Sequence, residues 1–464
     1  MVTACSEPGF FVSATGRHDT QARNAMKPSR SYRPLERSAL TLGFVPLTDC
    51  APLIAAQSAG FFAEEGLTVT LSREASWAAI RDKVAFGLLD GAQMLAGMPI
   101  AATLGVGAPP QAMVTALSLG LNGNAITVSE GLYSRLVAAD PEAMIERPCT
   151  ARALKRVIDA DREAGLAPMT FAMVHPASAH NYQLRYWLAA AGIDPDRDVR
   201  LIVVPPPRMV ANLEAGRIAG YCVGEPWNQM AVRAGLGRVL ITGYEIWRNA
   251  PEKVLGVTRD WAERHPNTHR ALVRALVRAA RWLDEPANRR GIVTRLAAPD
   301  RLDAPAEAIR GPLVGEFRHA REAASVSLPD FNVFHRYAAN FPWCSQAMWF
   351  ITQMLRWGQI GGSLDIAATA AAVYRPGIYR EAVADIGVAC PDTDTKSEGR
   401  HAEGWALATN DGAIAMGADR FFDGRVFDPA DCLGYIAETQ PTARTARLAE
   451  LAQVNPSNRS SVAG

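Results

Sequence analysis

The sequence has no excess of one charge and no long hydrophobic run. Its 464 residues carry 48 Lys and Arg against 47 Asp and Glu, which gives a formal net charge of +1. This balance argues against direct nucleic-acid binding, because such proteins usually carry a basic excess to meet phosphates. No stretch of about 18 apolar residues occurs, so the sequence predicts no membrane span. The length predicts two or three domains.

Motifs for catalysis and metal binding are also missing. The sequence contains no GxSxG, GxxxxGK[ST] or HExxH motif. Seven cysteines are scattered without a CxxC pair, which favours buried thiols in a reducing compartment over a zinc or redox site. His265 and His269 lie four residues apart, but Pro266 interrupts them, so we expect a solvated loop before a helix. We therefore expect no enzyme, no cofactor and no metal.

Residues 1–37 contain dispersed basic residues and no apolar core of about 7–15 residues that an export signal needs. We expect this segment to be a disordered N-terminal tail and the protein to be cytoplasmic. Residues 441–464 are polar and predict a C-terminal tail.

Between the tails, strand and helix patterns alternate twice. The first unit has strands near 40–45, 68–71 and 91–95, with helices at 48–59 and 75–87. The second has strands near 169–174, 199–204 and 219–223, with helices at 179–192 and 208–216. This alternation predicts α/β units with parallel sheets.

The segments around 125 and 255 join the two units. The sequence therefore predicts a discontinuous domain I, 38–124 and 254–440, and an inserted domain II, 125–253. Within domain I we expect one long helix over 261–284 and a mainly helical extension from about 300. A cleft between two doubly linked domains favours a small-ligand site and a hinge.

Several residues fall where this cleft is expected. Trp77 follows a strand and could stack on a planar ligand or simply pack in the core. Asn124 lies in an Asn-Gly-Asn segment that could donate to an anion or form an ordinary turn. His180 follows Ser178 at a helix start, which suits either an anion or plain capping by the serine. Lys253, on the return segment, could supply a full positive charge.

Two further segments, PPPRM (205–209) and CVGEPW (222–227), follow strands of the second unit. They therefore lie at the carboxyl edge of its sheet, where ligands of open α/β sheets bind.

Taken together, these segments resemble the nitrate/nitrite and bicarbonate solute-binding proteins of ABC transporters, within the type II periplasmic-binding-protein class. The resemblance covers residues 40–436. It rests on these motifs: GFVPLTDCAP (43–52), ASW (75–77), GAQML (91–95), His180 with RYWL (185–188), PPP (205–207), EPWN (225–228) and RWG (356–358).

The resemblance implies an α/β, two-domain Venus-flytrap fold with a hinge, a cleft and a C-terminal helical elaboration, and a planar anion in the cleft. It places Trp77 on the pocket wall, Asn124 where the nitrate proteins have Gln, and Ala125 where they have Gly. His180 would be an imidazole donor, Pro206 and Val223 would be domain II contacts, and Lys253 would neutralise the anion. The lysine favours a bare monovalent anion over a metal-assisted bicarbonate site, because it would repel a bound cation.

Within the family, a chain without an export signal resembles the cytoplasmic branch, which is the nitrate/nitrite sensor. RYAANFPW (336–343) and SQAMWF (345–350) are similar to that branch. It implies nitrate or nitrite as ligand and, as partner, an antiterminator response-regulator protein that the sensor releases when the anion binds. The alternatives are a transport solute-binding protein for nitrate or bicarbonate and, remotely, a thiamine pyrimidine-precursor synthase-like enzyme.

Overall fold

The computed structural model describes residues 34–361 and 364–439. Most of the two predicted tails, 1–37 and 441–464, lies outside the described residues. Of the described helices, none is both long enough and apolar enough to cross a bilayer.

The last residues of the predicted N-terminal tail are attached to the fold. The Glu36 carboxylate accepts hydrogen bonds from the backbone N–H groups of Asn267 and Thr268, at 3.0 and 2.9 Å. Arg37 forms an ion pair of 2.9 Å with Asp90. Contacts of the folded chain therefore begin before Ser38.

Within the described residues, two large sheets and two short hairpins contain the strands. These are β1 (Ala39–Phe44), β2 (Thr68–Arg73), β3 (Gly91–Leu95), β4 (Met113–Asn122), β5 (Asn124–Ser129), β6 (Thr170–Met173), β7 (Arg200–Val203), β8 (Gly220–Gly224), β9 (Gly237–Thr242), β10 (Pro251–Thr258), β11 (Glu316–Phe317), β12 (Val326–Ser327), β13 (Asn332–Val333), β14 (Trp405–Thr409) and β15 (Gly412–Met416).

Helices cover the sheets and build most of the C-terminal part. They are α1 (Ala51–Ser58), α2 (Phe61–Glu64), α3 (Trp77–Ala85), α4 (Met98–Leu104), α5 (Glu130–Ala139), α6 (Pro141–Ile145), α7 (Arg152–Glu163), α8 (Ala179–Ala190), α9 (Met209–Glu214), α10 (Trp227–Ala234), α11 (Gly243–Ile246), α12 (Arg259–Arg264), α13 (Pro266–Leu283), α14 (Pro286–Ala297), α15 (Ala306–Val314), α16 (Cys344–Arg356), α17 (Ile366–Val373), α18 (Pro376–Val383) and α19 (Cys432–Thr439). Short 3-10 helices lie at Thr48–Cys50, Pro206–Arg208 and Ala384–Ile386.

Both large sheets are mixed. The first has the order β13-β4-β10-β3-β1-β2 and the second β7-β6-β8-β5-β9. The strands predicted from the alternating pattern pair in parallel: β1 with β2 and β3, and β6 with β7 and β8. By contrast, β10 runs antiparallel to β3 and β4, and β5 antiparallel to β8 and β9. The prediction of parallel sheets is therefore wrong for these two strands, because each enters its sheet directly from the other domain rather than through a crossover helix.

The chain passes between the sheets twice. It leaves the first sheet at Gly123, which has a φ of +98°, after Asn122 with a φ of +64°. Such positive φ values suit glycine and asparagine. It returns between Thr242 and Pro251, and β10 lies wholly in the first sheet. The predicted boundary at 253/254, which stays a prediction, would cut this strand.

The predicted helix over 261–284 is two helices. α12 ends at Arg264 and α13 begins at Pro266, because proline has no N–H to continue the α12 hydrogen bonds but fits the first position of a new helix. His269 lies inside α13 and is 1% exposed, with its ring edge-to-face against Trp261. The prediction of a solvated loop is wrong for this residue.

The C-terminal part is less helical than predicted. Residues 405–416 form the β14–β15 hairpin instead of a helix, and the irregular segment after it bonds to the return crossing. We call residues 396–422 the C-terminal strap. Trp247 Nε1 donates to Asp419 Oδ1 at 2.8 Å, and Asn249 Nδ2 donates to the Ala418 carbonyl at 2.8 Å. Lys396 pairs with both Asp419 and buried Glu398.

The six cysteines within the described residues are free thiols. Five are buried and Cys390 is half-buried. This agrees with the predicted buried thiols; Cys5 lies outside the described residues.

Candidate functional site

Lys253 lies in the middle of the first sheet and is the centre of the site. Its side chain is 1% exposed, although it carries a charge. The ammonium forms an ion pair with Asp49 Oδ2 at 2.7 Å and a second, shorter one with Glu252. The Nζ atom also lies 5.3 Å from the centroid of the Trp77 ring, within cation–π range. We call Asp49, Glu252 and Lys253 the lysine cluster.

A backbone irregularity lets neighbouring residues 252 and 253 reach the same cluster. Side chains of successive strand residues normally point to opposite faces. The pairing of β10 with β4 shifts register between Pro251 and Lys253, and again between Lys253 and Val254. Such a bulge re-aims side chains. Strand alternation read from the sequence would have placed Glu252 and Lys253 on opposite sides.

Asp49 is held in place from the first sheet. It lies in the 3-10 helix Thr48–Cys50, directly after β1. Gln93, on β3, donates through its side-chain amide to Asp49 Oδ1 and accepts from the Val45 backbone N–H at 3.0 Å. Gln93 is 0% exposed, so this bridge is fully buried. It fixes Asp49 as an acceptor facing the lysine.

Glu252, on β10 of the first sheet, connects the lysine cluster to the second sheet and to α8. Asn124 Nδ2 donates to Glu252 Oε2 at 2.7 Å and to Gln183 Oε1 at 3.1 Å. His180 Nε2 lies 3.5 Å from Glu252 Oε1. Burial raises the pKa of Glu252, and Asp49 adds to the rise, although Lys253 opposes it. For Lys253, the two carboxylates outweigh burial and raise its pKa, so the ammonium stays charged.

His180 lies in the first turn of α8 and is fully buried. Ser178 caps this helix by accepting from the Asn181 N–H at 3.0 Å, so the capping interpretation of the serine is confirmed. Burial, and then the nearby Lys253 charge, hold the pKa of His180 well below its usual value. Neither ring nitrogen has a hydrogen-bond partner in the described part of the chain. The neutral imidazole thus keeps one donor and one acceptor for a ligand.

Trp77 is the first residue of α3, and Ser76 caps this helix by accepting from the Ala79 N–H at 3.2 Å. The indole is 1% exposed, and its Nε1–H has no partner among residues 34–361 and 364–439. Asn124 Oδ1 is likewise buried without a partner there. Unpaired buried polar atoms are costly, and their concentration around one ammonium is typical of a ligand site.

The remaining predicted positions are apolar. Ala125 on β5 pairs directly with Val223 on β8, and both are 0% exposed. Pro206 begins the 3-10 helix that follows β7. Their side chains offer no hydrogen bond, so their role as ligand contacts stays a prediction. The structure thus brings Trp77, Asn124, His180 and Lys253 together around polar contacts.

The two domains meet closely around the lysine cluster. The Thr48 N–H donates to the Glu225 carbonyl at 2.8 Å, and Trp227 Nε1 donates to the Pro46 carbonyl at 3.0 Å. Gly97, just before α4, lies so near the Ala177 carbonyl that a Cβ would overlap it. This close contact shields Lys253 and Glu252 almost fully from water and leaves the Asp49 side chain 12% exposed.

Sequence reasoning missed the acids of this site. Asp49 lies within a motif of the resemblance but carries no predicted role, and Glu252 lies outside those motifs. For Glu252, the sequence signal is an acidic residue beside apolar strand residues, and the β10 bulge brings it to the same cluster as Lys253. Glu225, a further buried acid, is not part of the lysine cluster. Glu225 is 0% exposed, and burial raises its pKa to about 8. Among the described residues, no group of three or more His, Cys, Asp or Glu is arranged to hold a metal ion.

The comparisons with known proteins fit this architecture. A family model described as the NMT1-like family matches residues 33–297. The chain is 33% identical over 447 residues to the nitrate/nitrite binding protein NrtA of Synechococcus elongatus, covering 94% of this chain and 93% of that protein. It is 42% identical over 404 residues to the nitrate import ATP-binding protein NrtC of Synechocystis sp., covering 87% of this chain. The chain spans about half the length of that relative, 55%.

Solved structures agree on the fold. The crystal structure of the periplasmic nitrate-binding protein NrtA from Synechocystis superposes with a TM-score of 0.77 at 29% identity, over 88% of this chain and 100% of that one. The alkanesulfonate-binding protein SsuA from Xanthomonas axonopodis superposes with a TM-score of 0.51 at 14% identity, over 73% of this chain and 99% of that one. The second likeness is one of fold alone. The predicted two-domain periplasmic-binding-protein fold is confirmed.

Proposed function

Because the chain belongs to the NMT1-like family and is homologous to nitrate/nitrite-binding NrtA over nearly its whole length, we propose that it binds nitrate or nitrite at the lysine cluster. Its NrtA and NrtC relatives are binding and import proteins, which favours a binding role over an enzymatic one. The anion would lie between domains I and II, which close over it.

One observation carries this proposal: a buried ammonium lies at the domain junction among buried polar atoms without partners. Lys253 would supply the charge, and the His180 and Trp77 N–H groups are donors not used elsewhere in the described residues. Hydrogen bonds between a charged donor and an anion are the stronger kind, and the Trp77 face suits a planar ion.

Calorimetric titration tests this directly. We expect nitrate or nitrite to bind the wild-type chain and Lys253→Ala to weaken binding by about 30-fold or more, because removing one partner of a buried charged contact costs about 2–5 kcal/mol. Lys155→Ala is the matched control, since Lys155 is a partly exposed lysine paired with Asp159 on α7. Equal binding by the wild type and Lys253→Ala would contradict the site, and no binding of nitrate or nitrite would contradict the function.

For the biological role, the names of the relatives support solute binding for an ABC importer of nitrate or bicarbonate. The cytoplasmic sensor that releases an antiterminator remains a proposal without support from these relatives. The two roles differ in location and in coupling. Cell fractionation with mass spectrometry of the mature N-terminus separates them, because a solute-binding protein that delivers external anion to an importer must be outside the cytoplasm.

Coupling to the regulator provides a second test. If the antiterminator binds the open form better, nitrate and the regulator must weaken each other by the same factor. A sensor therefore predicts a shift in regulator affinity of about 5–150-fold on adding nitrate. Equal regulator affinity with and without nitrate would exclude the sensor and leave the anion site intact.

A further inference from the structure

The lysine cluster contains more negative than positive charge. One ammonium, on Lys253, faces two carboxylates, on Asp49 and Glu252, and the side chains are 1%, 12% and 2% exposed. A nitrate ion entering this site would add another negative charge where little water reaches the side chains. Burying an uncompensated charge is costly, so a compensating positive charge must enter with the anion or a negative one must be removed.

Glu252 is the group best placed to lose its charge. It is buried, its Oε2 accepts from Asn124, and its Oε1 faces both the Lys253 ammonium and the His180 ring. Asp49 is fixed as an acceptor by the Gln93 amide and keeps more exposure. Protonating Glu252 would free one lysine N–H for the anion and create an O–H that can donate to it.

The other titratable and charged groups facing Glu252 are less suited. They come from four elements: Asp49 from the 3-10 helix, Lys253 from β10, His180 from α8 and Cys222 from β8. Lys253 already carries its proton. Burial, with Lys253, lowers the pKa of His180, and burial raises the pKa of the Cys222 thiol, so both stay neutral. Burial also raises the pKa of Glu252, which reduces the cost of adding a proton there.

We propose that the anion enters the lysine cluster together with one proton, which Glu252 takes up. This inference rests on the proposed function. An O–H bond forms on the Glu252 carboxylate, the proton comes from the solvent or its buffer, and no bond in the anion breaks. In net terms the protein binds the neutral acid. One proton balances the charge of a monovalent anion but leaves a divalent anion such as sulfate with one uncompensated charge. Proton uptake by Glu252 therefore also favours monovalent over divalent anions.

Proton uptake is measured by titrating nitrate into the wild-type chain at pH 7.5 in buffers of different ionisation enthalpy. We expect an uptake approaching one proton per nitrate and an affinity that rises as the pH falls, by up to about tenfold per pH unit. We expect Glu252→Gln, which keeps the shape and an acceptor for Asn124, to bind nitrate with no uptake and a flat pH profile. Glu225→Gln is the matched control, because Glu225 is an equally buried acid with a raised pKa and no lysine partner in the described residues.

The outcomes separate the two proposals. Nitrate binding without proton uptake overturns this inference and leaves the proposed function standing, whereas no nitrate binding at any pH overturns both. Uptake that persists in Glu252→Gln, or disappears in Glu225→Gln, assigns the proton to another group and also overturns it. Should Glu252→Gln fail to fold, infrared difference spectra of the wild type decide: a protonated-carboxyl band that appears with nitrate supports the inference, and its absence contradicts it.

Discussion

Replacing Lys253 with methionine removes the buried charge while keeping a side chain of similar length. At the observed 2.7 Å from Asp49, an ion pair in an effective dielectric of 20 has a Coulomb attraction of about 6 kcal/mol. The desolvation of the buried ions, several kcal/mol each, offsets most of this attraction. Removing the lysine alone leaves Asp49 and Glu252 facing each other uncompensated. We therefore expect Lys253→Met to lower the free energy of unfolding by about 3–5 kcal/mol at pH 8.

The loss should depend on pH in a defined direction. Without the ammonium, the pKa of Glu252, already raised by burial, rises further in the folded state. An acid with a raised folded pKa favours folding below its unfolded pKa of about 4.3, and this contribution is lost as the pH rises through the folded pKa. The deficit of Lys253→Met should therefore shrink between pH 8 and pH 5. Adding Glu252→Gln to the variant should recover part of it at pH 8.

Urea unfolding followed by circular dichroism at pH 5, 6.5 and 8 measures these differences. Lys155→Met is the control, because its partly exposed pair with Asp159 should contribute less than about 1 kcal/mol. A deficit for Lys253→Met below about 1 kcal/mol, or one that is equal at pH 5 and pH 8, would refute the reasoning.

Three further predictions concern Trp77, Glu225 and Gly97. Trp77→Ala should lower the free energy of unfolding by about 3–5 kcal/mol in urea titrations, and Trp77→Phe by less, because an aromatic face remains over the buried ammonium. Burial raises the pKa of Glu225 to about 8 from an ordinary 4.5, so the folded wild type loses stability as the pH rises between these values. In thermal melts, the melting temperature of Glu225→Gln should therefore rise relative to that of the wild type from pH 5 to pH 8. A difference that stays constant over this range would contradict the prediction. In Gly97→Ala, the added Cβ should press against the Ala177 carbonyl and hold the two domains apart. We therefore expect a larger radius of gyration in X-ray scattering and weaker anion binding. Gly131→Ala is the control, because no atom lies within 4 Å of its added Cβ, and it should change neither the radius of gyration nor the anion affinity.

The elements of the fold were largely predictable from sequence where local pattern decides them. β3 at Gly91–Leu95 matches its predicted bounds, and α8 begins at the predicted Ala179 behind its serine cap. What local pattern could not give is strand direction. β5 and β10 read as strands or connectors, but their antiparallel pairing follows from the path of the whole chain between two domains. The hairpin in the C-terminal strap was not predicted for a similar reason, because the strap bonds to residues more than 150 positions away in the sequence.

Residues of a distinctive chemical type are those that sequence reasoning could select for the candidate site, and their role as ligand contacts stays a prediction. The structure gathers Trp77, Asn124, His180 and Lys253 around shared polar contacts, as the resemblance implied. The sequence could not reveal that the lysine already has two carboxylate partners. Glu252 lies next to Lys253 in sequence, and an ordinary strand would turn them apart. The β10 bulge joins them, and it arises from pairing with β4 across more than a hundred residues.

The C-terminal strap has a consequence for how the two domains can move. The first passage between the domains, at Gly123, is bonded to the return passage, because Asn122 and Ala250 exchange two hydrogen bonds of 2.9 Å. The return passage is bonded in turn through Trp247 and Asn249 to the strap. A change in the angle between the domains must therefore break bonds to the strap or carry the strap along with the moving domain. A molecule that bound the strap would therefore restrict the angle between the domains from a surface outside the lysine cluster.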